Sequence, residues 1–330
     1  MKRTEAALGS SLSFVLAVAA ACGGQESSHS SDSGTGADAP LDAVAPVDVI
    51  APVEAGPADQ YSPPDVATAD VSTPGDATGE AEAGGCDPSA LTWSPSTLPG
   101  LALWLDAAAG ITATAGNPIS RWSDQSAAHN DAVQPSSGYQ PILMSSSIGG
   151  LPGVRFDGNV AFLSVADSPT LQWGTGDFVL VAVATFSNTN ISQMLYQKVG
   201  QAPYDGPALY VNSQKPTQDT RATAQVSENV FATSNMNGLQ GAPHLFTARR
   251  FGSTLEVRVD GTSEGQTSIS SPVDVSAAGI PAMIGQNGYN PTPGFQALQG
   301  DIAEMIAAQG PLADADLHTL ECHLLLKYGL

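Results

Sequence analysis

Paired carboxylates, nucleophile motifs and histidine clusters are the residue patterns that could do chemistry in this chain. A retaining glycosidase needs two carboxyls about 5–5.5 Å apart, and no Glu-x-Asp-x-Glu or Glu-x-Asp-x-x-Glu run occurs. Glu256 and Asp260, in EVRVD, share a strand face but stand four residues apart, on a face that reads as solvated. Glu304, in DIAEM, falls on the strand face of Ile302 and Ile306. It is expected to be partly buried and paired with an arginine. GTSEG, Gly261 to Gly265, matches a nucleophile elbow around Ser263. That motif needs a strand followed by a helix in an α/β sheet, and its surroundings here are β-rich. His318 and His323 are five apart and do not share a helix face as a zinc pair would. His29, His129 and His244 are single residues, and no Gly-rich phosphate loop is present. The pattern points to a protein without a catalytic centre.

The elements that would carry any site begin after a long leader. Lys2 and Arg3 precede the apolar run Leu12 to Ala21, which reads as an export signal too short to span a membrane comfortably. It ends in Ala19-Ala20-Ala21-Cys22-Gly23, which resembles a bacterial lipobox despite Ala19 standing where leucine is usual. Cys22 is therefore expected to be lipidated, anchoring the protein to the cell envelope without a spanning helix. Gly23 stands where an aspartate often marks inner-membrane retention, so the outer membrane or cell surface is the expected location. Residues 1–22 are read as signal and 23–85 as a tether. The tether holds 12 acidic residues and no Lys or Arg, and Tyr61 is its one aromatic. Such a segment cannot bury enough apolar surface to offset its ordering entropy. As a flexible coil it would reach about 45 Å.

Residues 86–330 form the expected folded domain, with 19 acidic against 9 basic residues. The whole chain carries a net charge of −21. That field repels phosphate backbones, so nucleic acid is excluded as a partner. With Cys22 lipidated, Cys86 and Cys322 remain in an oxidising compartment at the two edges of the domain. A Cys86–Cys322 disulfide is the predicted pairing.

The domain reads as all-β. FVLVAVATF, Phe178 to Phe186, is apolar on both faces and predicts a central strand. TLEVRVDG alternates, with Leu255, Val257 and Val259 on one side and Glu256, Arg258 and Asp260 on the other. This predicts a half-buried antiparallel strand ending in an Asp-Gly turn. Other short candidates are LALWLDA, VRFDG, FLSVA, QMLYQKV, ALYVNS, AMIGQN and DIAEMIAA, separated by turn residues. One helix is predicted near the end, capped by Asp314, striped with Leu317, Leu320 and Leu324, and stopped at Gly329. Many short strands at this spacing argue for a two-sheet antiparallel sandwich.

The order LALWLDA, RWSDQSAAHNDAVQ, LPGVRFDG, LSVADSPTL, GDFVLVAVATF and the tail GDIAEMIAAQGPLADADLHTLECHLLLKYGL resembles the laminin-G-like, concanavalin A-like lectin/glucanase domain. The resemblance covers nearly all of Leu101 to Leu330. It implies a jelly-roll sandwich with a concave face. Where the family more often has Gly-Asn-Gly, this chain has Ala127-Ala128-His129. Trp122 is read as a core anchor, and Asp124, Ser126, Asn130 and Asp131 as turn caps. Family members often hold one structural calcium. The resemblance therefore offers Asp157, in the FDG turn, and Asp301, in GDIAE, as candidate ligands, since oxygen-rich turns suit that ion.

The expected function is a surface-anchored, non-catalytic protein that binds carbohydrate or another envelope component. Tyr204, Tyr210 and Tyr289, near Gly, Pro or Asn, are the candidate stacking platforms. The alternatives are a structural or adhesive module contacting another surface protein, or a glycoside hydrolase. Fold alone does not choose among them.

Overall fold

The computed structural model describes residues 85–187, 191–201, 203–214, 219–288 and 292–330. Cys22 and Tyr289 lie outside the described residues. The strands run in chain order as β1 (Leu101–Asp106), β2 (Arg121–Trp122), β3 (Ala132–Val133), β4 (Ile142–Ile148), β5 (Leu151–Asp157), β6 (Leu163–Val165), β7 (Phe178–Phe186) and β8 (Gln193–Gln197). They continue as β9 (Ala208–Gln214), β10 (Asp219–Ser227), β11 (Val230–Thr233), β12 (His244–Phe251), β13 (Thr254–Val259), β14 (Thr262–Ser268), β15 (Ala282–Ile284) and β16 (Gln299–Gln309). A helix, α1 (Asp314–Tyr328), closes the chain.

The strands form two antiparallel sheets. The first has the order β14-β13-β12-β7-β16-β5-β4, with β1 also pairing with β16. The second has the order β11-β10-β9-β8-β15-β6-β3-β2. The all-apolar run Phe178–Phe186 takes the middle of the first sheet, as its two-sided hydrophobicity requires. Its even-numbered residues Phe178, Leu180, Ala182, Ala184 and Phe186 enter the core between the sheets. Its odd residues Val179, Val181 and Val183 enter a second cluster with Leu317, Leu320 and Leu324 of α1. Period two on the strand therefore feeds two separate cores, one under each face.

The opposite face of the first sheet is thus roofed by α1, and this corrects the reading of β13. Glu256 is buried rather than solvated, and Arg258 is half-buried. Arg258 Nε donates to Glu321 Oε1 on α1 at 2.9 Å and its Nη1 reaches Glu256 Oε1 at 3.3 Å. Thr247 on β12 donates to the same Glu321 oxygen at 2.9 Å. A polar strand face looks solvated in sequence even when a helix bearing matching charges covers it. The helix start also differs. Ala313 is the N-cap and makes no side-chain cap bond, while Asp314 opens the helix and pairs with Arg249 at 2.7 Å. Gly329 ends it at φ 68°, a left-handed backbone that glycine adopts without steric cost.

Cys86 and Cys322 are joined by a disulfide. It ties the short 3-10 turn Pro88–Thr92 to α1, where His323 Nδ1 lies 2.9 Å from the Ala90 carbonyl oxygen. The run around Trp122 is structural. Trp122 is fully buried. Asp124 accepts from the backbone N–H of Trp104, Ser126 and Asn130 at 2.7–2.9 Å. Asn130 Nδ2 donates to the Ala102 carbonyl at 2.7 Å. His129 holds φ 53°, so the left-handed turn forms here without glycine.

Candidate functional site

The second sheet carries a groove of about 370 Å³ on the side away from the core. Its floor is made by β8, β9 and β10. Tyr210 and Asn212 share a face of β9 by strand alternation, and both line the groove with Gln225 of β10. Met194 and Gln197 of β8 line it too, although three residues apart they should face opposite ways. A bulge resolves this. The register between β8 and β9 shifts between Met194 and Tyr196, so Leu195 and Tyr196 both enter the core. The extra residue turns Met194 and Gln197 onto one face, the re-aiming a bulge performs.

Loops build the walls. Tyr204 comes from the β8–β9 connection, Glu228 from the β10–β11 turn, and Asn287, Phe295 and Gln296 from the β15–β16 connection. Tyr204 at φ 60° and Gln296 at φ 51° hold left-handed backbone. For side-chain-bearing residues this costs on the order of 1 kcal/mol or more each, and such strain gathers where a side chain must be aimed. Asn287 Nδ2 donates to Gln296 Oε1, and Gln197 Oε1 accepts from the Gly288 N–H at 2.7 Å. Ser192 donates to Asn212 Oδ1 at 2.8 Å. These bonds fix amide side chains in place. Phe295 is 44% exposed, a large apolar side chain presented at the groove.

The electrostatics are simple. Among the described lining residues Glu228 is the one charged group, and none is Lys, Arg or His. Burial pushes the Tyr210 phenol up to about 12. It is neutral at physiological pH and can donate a hydrogen bond. That is the opposite of an activated phenolate nucleophile. Amides with both donors and acceptors, a neutral phenol and exposed aromatic surface suit an array of hydroxyls on an apolar ring.

A second hollow of about 500 Å³ is lined by Arg155, Asp157 and Asp301 among others. The two predicted calcium ligands are therefore neighbours, but they do not fit that ion. Asp301 accepts from Arg155 Nε and Nη2 at 2.7 and 2.8 Å and from Ser147 Oγ at 2.7 Å. Burial alone would raise its carboxyl; the hydrogen bonds from Arg155 and Ser147 outweigh this and hold it low. Asp157 Oδ1 accepts from the N–H groups of Asn159, Val160 and Ala161, each at 2.9 Å. Burial also opposes its ionised form, and these backbone bonds win. A calcium ion takes six to eight oxygens, and here a guanidinium occupies the place beside the carboxylate. Among the described residues no group of three or more His, Cys, Asp or Glu could hold a metal.

Glu304 is also reassigned. A bulge between Ile302 and Glu304 puts Ile302 in the inner core and Glu304 under α1, with Ile306. Its partner is Lys327 at 2.6 Å, not an arginine. Ser263 lies in β14, an edge strand, and is no elbow. Tyr204 and Tyr210 do meet in the groove. Tyr210 does so from within a strand rather than a loop. Sequence reasoning passed over Phe295, though its Pro- and Gly-rich setting, NPTPGFQ, is the signal that placed the tyrosines. The amides carried no signal, because nothing in their spacing marks them as converging.

No family model matches the chain, and no curated protein matches it. Solved structures do. The binding domain of Paraclostridial Mosquitocidal Protein 1 superposes with a TM-score of 0.50 at 11% identity, over 67% of this chain and 52% of that one. The likeness is one of fold. This chain spans about half the length of that toxin domain. Domain 4 of AbnA, a GH43 extracellular arabinanase from Geobacillus stearothermophilus in complex with arabinotriose, matches at TM-score 0.44 and 13% identity. That match covers 67% of this chain and 98% of the domain. Trypanosoma rangeli sialidase in complex with the inhibitor DANA matches at TM-score 0.45 and 14% identity, over 69% and 33%.

Proposed function

We propose that this chain is a non-catalytic carbohydrate-binding protein whose ligand lies in the groove of the second sheet. The observation that carries the reading is the convergence of Tyr204, Tyr210 and Phe295 with Gln197, Asn212, Gln225, Asn287 and Gln296 on one face. Aromatic rings supply apolar area against sugar faces, and oriented amides supply hydrogen bonds to hydroxyls. Among the described residues the lining holds one carboxylate, Glu228, where carboxylate-pair hydrolysis needs two. The fold is shared with a toxin's binding domain, which agrees with this role.

A screen of the purified chain against plant and bacterial polysaccharides, followed by calorimetry on the hits, tests the proposal. Saturable binding is expected. Phe295→Ala should weaken it roughly tenfold to a hundredfold, the worth of one aromatic side chain taken out of water. Tyr139→Ala removes an exposed aromatic outside the groove and should leave affinity unchanged. Capture of a protein, with no glycan bound by folded chain, would replace this reading with the adhesive one.

We further propose that the module is displayed on the cell envelope by a lipid on Cys22, with the acidic segment to residue 85 giving it reach. The motivating feature is the Ala-Ala-Ala-Cys-Gly run after an apolar segment. Expressed in a bacterial host, the chain should fractionate with membranes and take up labelled palmitate, and Cys22→Ala should abolish both. Membrane association that survives Cys22→Ala would rule the lipid anchor out.

A further inference from the structure

We propose that the groove takes neutral sugars and turns anionic ones away, with Glu228 as the discriminating charge. This rests on the carbohydrate reading of the groove and narrows it to one ligand class.

The argument is one of charge accounting around the site. An anionic sugar, a uronate or a sialate, must bring its carboxylate out of water. That costs free energy unless a cation or a set of donors receives it. The described lining offers no cation. Among the described residues, the basic side chains nearest the groove have partners of their own. Arg221 on β10 donates through Nη1 to the carbonyls of Ser234 and Asn235 at 2.8 and 2.7 Å and faces Asp219. Lys198, which follows β8, is fully buried. It donates to the Ser276 and Ala277 carbonyls and lies 2.9 Å from Asp167. Lys198 cannot meet a ligand without leaving these partners, and the Nη1 of Arg221 is held by its two carbonyls.

Glu228 adds the repulsive element. It is exposed and lines the groove. The folded domain around it holds 19 acids against 9 bases, so the field at the groove favours cations and neutral molecules over anions. For a neutral sugar the same groups are assets. A carboxylate accepts hydrogen bonds from hydroxyls, and the amides and the neutral Tyr210 phenol both donate and accept. Specificity of this kind needs a penalty against the wrong ligand as well as contacts to the right one.

The test uses calorimetry on the purified chain with xylan, arabinan and cellohexaose as neutral probes, and polygalacturonate and alginate as anionic ones. Each is titrated at low and at physiological ionic strength. A neutral probe should bind with little salt dependence. The anionic probes should bind at least ~10-fold more weakly at low salt, since like charges at contact raise the cost of association. That gap should narrow with added salt and in Glu228→Gln. Anionic probes that bind as tightly as the neutral ones, with Phe295→Ala still weakening both, would overturn the charge inference and leave the groove standing. Binding indifferent to Phe295→Ala, or no binding by any probe to chain shown folded by circular dichroism, would overturn the groove and this inference together.

Discussion

Reduction of the Cys86–Cys322 disulfide is expected to lower the melting temperature of the folded domain by about 10–20 °C. The bond spans 236 positions of sequence. In the chain-entropy model, closing a loop of this length in the denatured chain stabilises the native state by about 5 kcal/mol. For a domain of this size each kcal/mol moves Tm by about 2–4 °C. Native contacts should survive the loss. Leu317, Leu320 and Leu324 dock α1 on Val179, Val181 and Val183 without the bond, and Trp93 packs edge-on against His323 with ring centroids 5.6 Å apart. Thermal unfolding with and without reductant, alongside a Cys86→Ser/Cys322→Ser chain, measures the effect. An unchanged Tm in the double variant would mean the denatured chain gains no freedom from the cut.

Glu304→Ala should destabilise the domain by about 3–5 kcal/mol, the usual cost of removing one partner from a buried ion pair. Glu304 is 1% exposed. Oε2 accepts from Lys327 Nζ at 2.6 Å and from the Tyr328 hydroxyl at 3.0 Å, and Oε1 accepts from Trp104 Nε1 at 2.7 Å. Burial pushes the Glu304 carboxyl up, and Lys327, facing both Glu304 and Asp106, is held protonated despite its own burial. Truncation orphans an indole N–H and a phenol and leaves Lys327 with Asp106 alone. Urea unfolding of Glu304→Ala, Lys327→Ala and the double variant gives the coupling. Singles that sum to the double would show that the two groups do not interact, and the helix would then be held by its leucines.

These two sites show what local sequence can and cannot carry. The disulfide was legible because two cysteines at the domain's edges left one pairing once Cys22 was assigned elsewhere. Glu304 was legible as a buried acid, but its partner was not. A bulge moved it off the face of Ile302, and Lys327 reaches it from an element 23 residues away. Glu256 and Arg258 were read as solvated because alternation reports that two faces differ, not what covers each.

By itself the sequence determined the β-sandwich class, the central strand Phe178–Phe186, the terminal helix with its leucine stripe and Gly329 stop, and the Cys86–Cys322 pairing. The strand and the helix follow from periodicity and turn chemistry, which act within a short stretch of chain, and the pairing follows from counting the cysteines. It also named Tyr204, Tyr210 and Tyr289 as exposed stacking candidates; Tyr204 and Tyr210 are half-buried, and Tyr289 lies outside the described residues. Only the tertiary structure decided that Tyr204 and Tyr210 meet Phe295 and five amides in one groove, and that Asp157 and Asp301 are turn and ion-pair groups. The physical reason lies in convergence and register. The groove joins residues from Ser192 to Gln296, and a single extra residue at Leu195 sets which side chains of β8 face it.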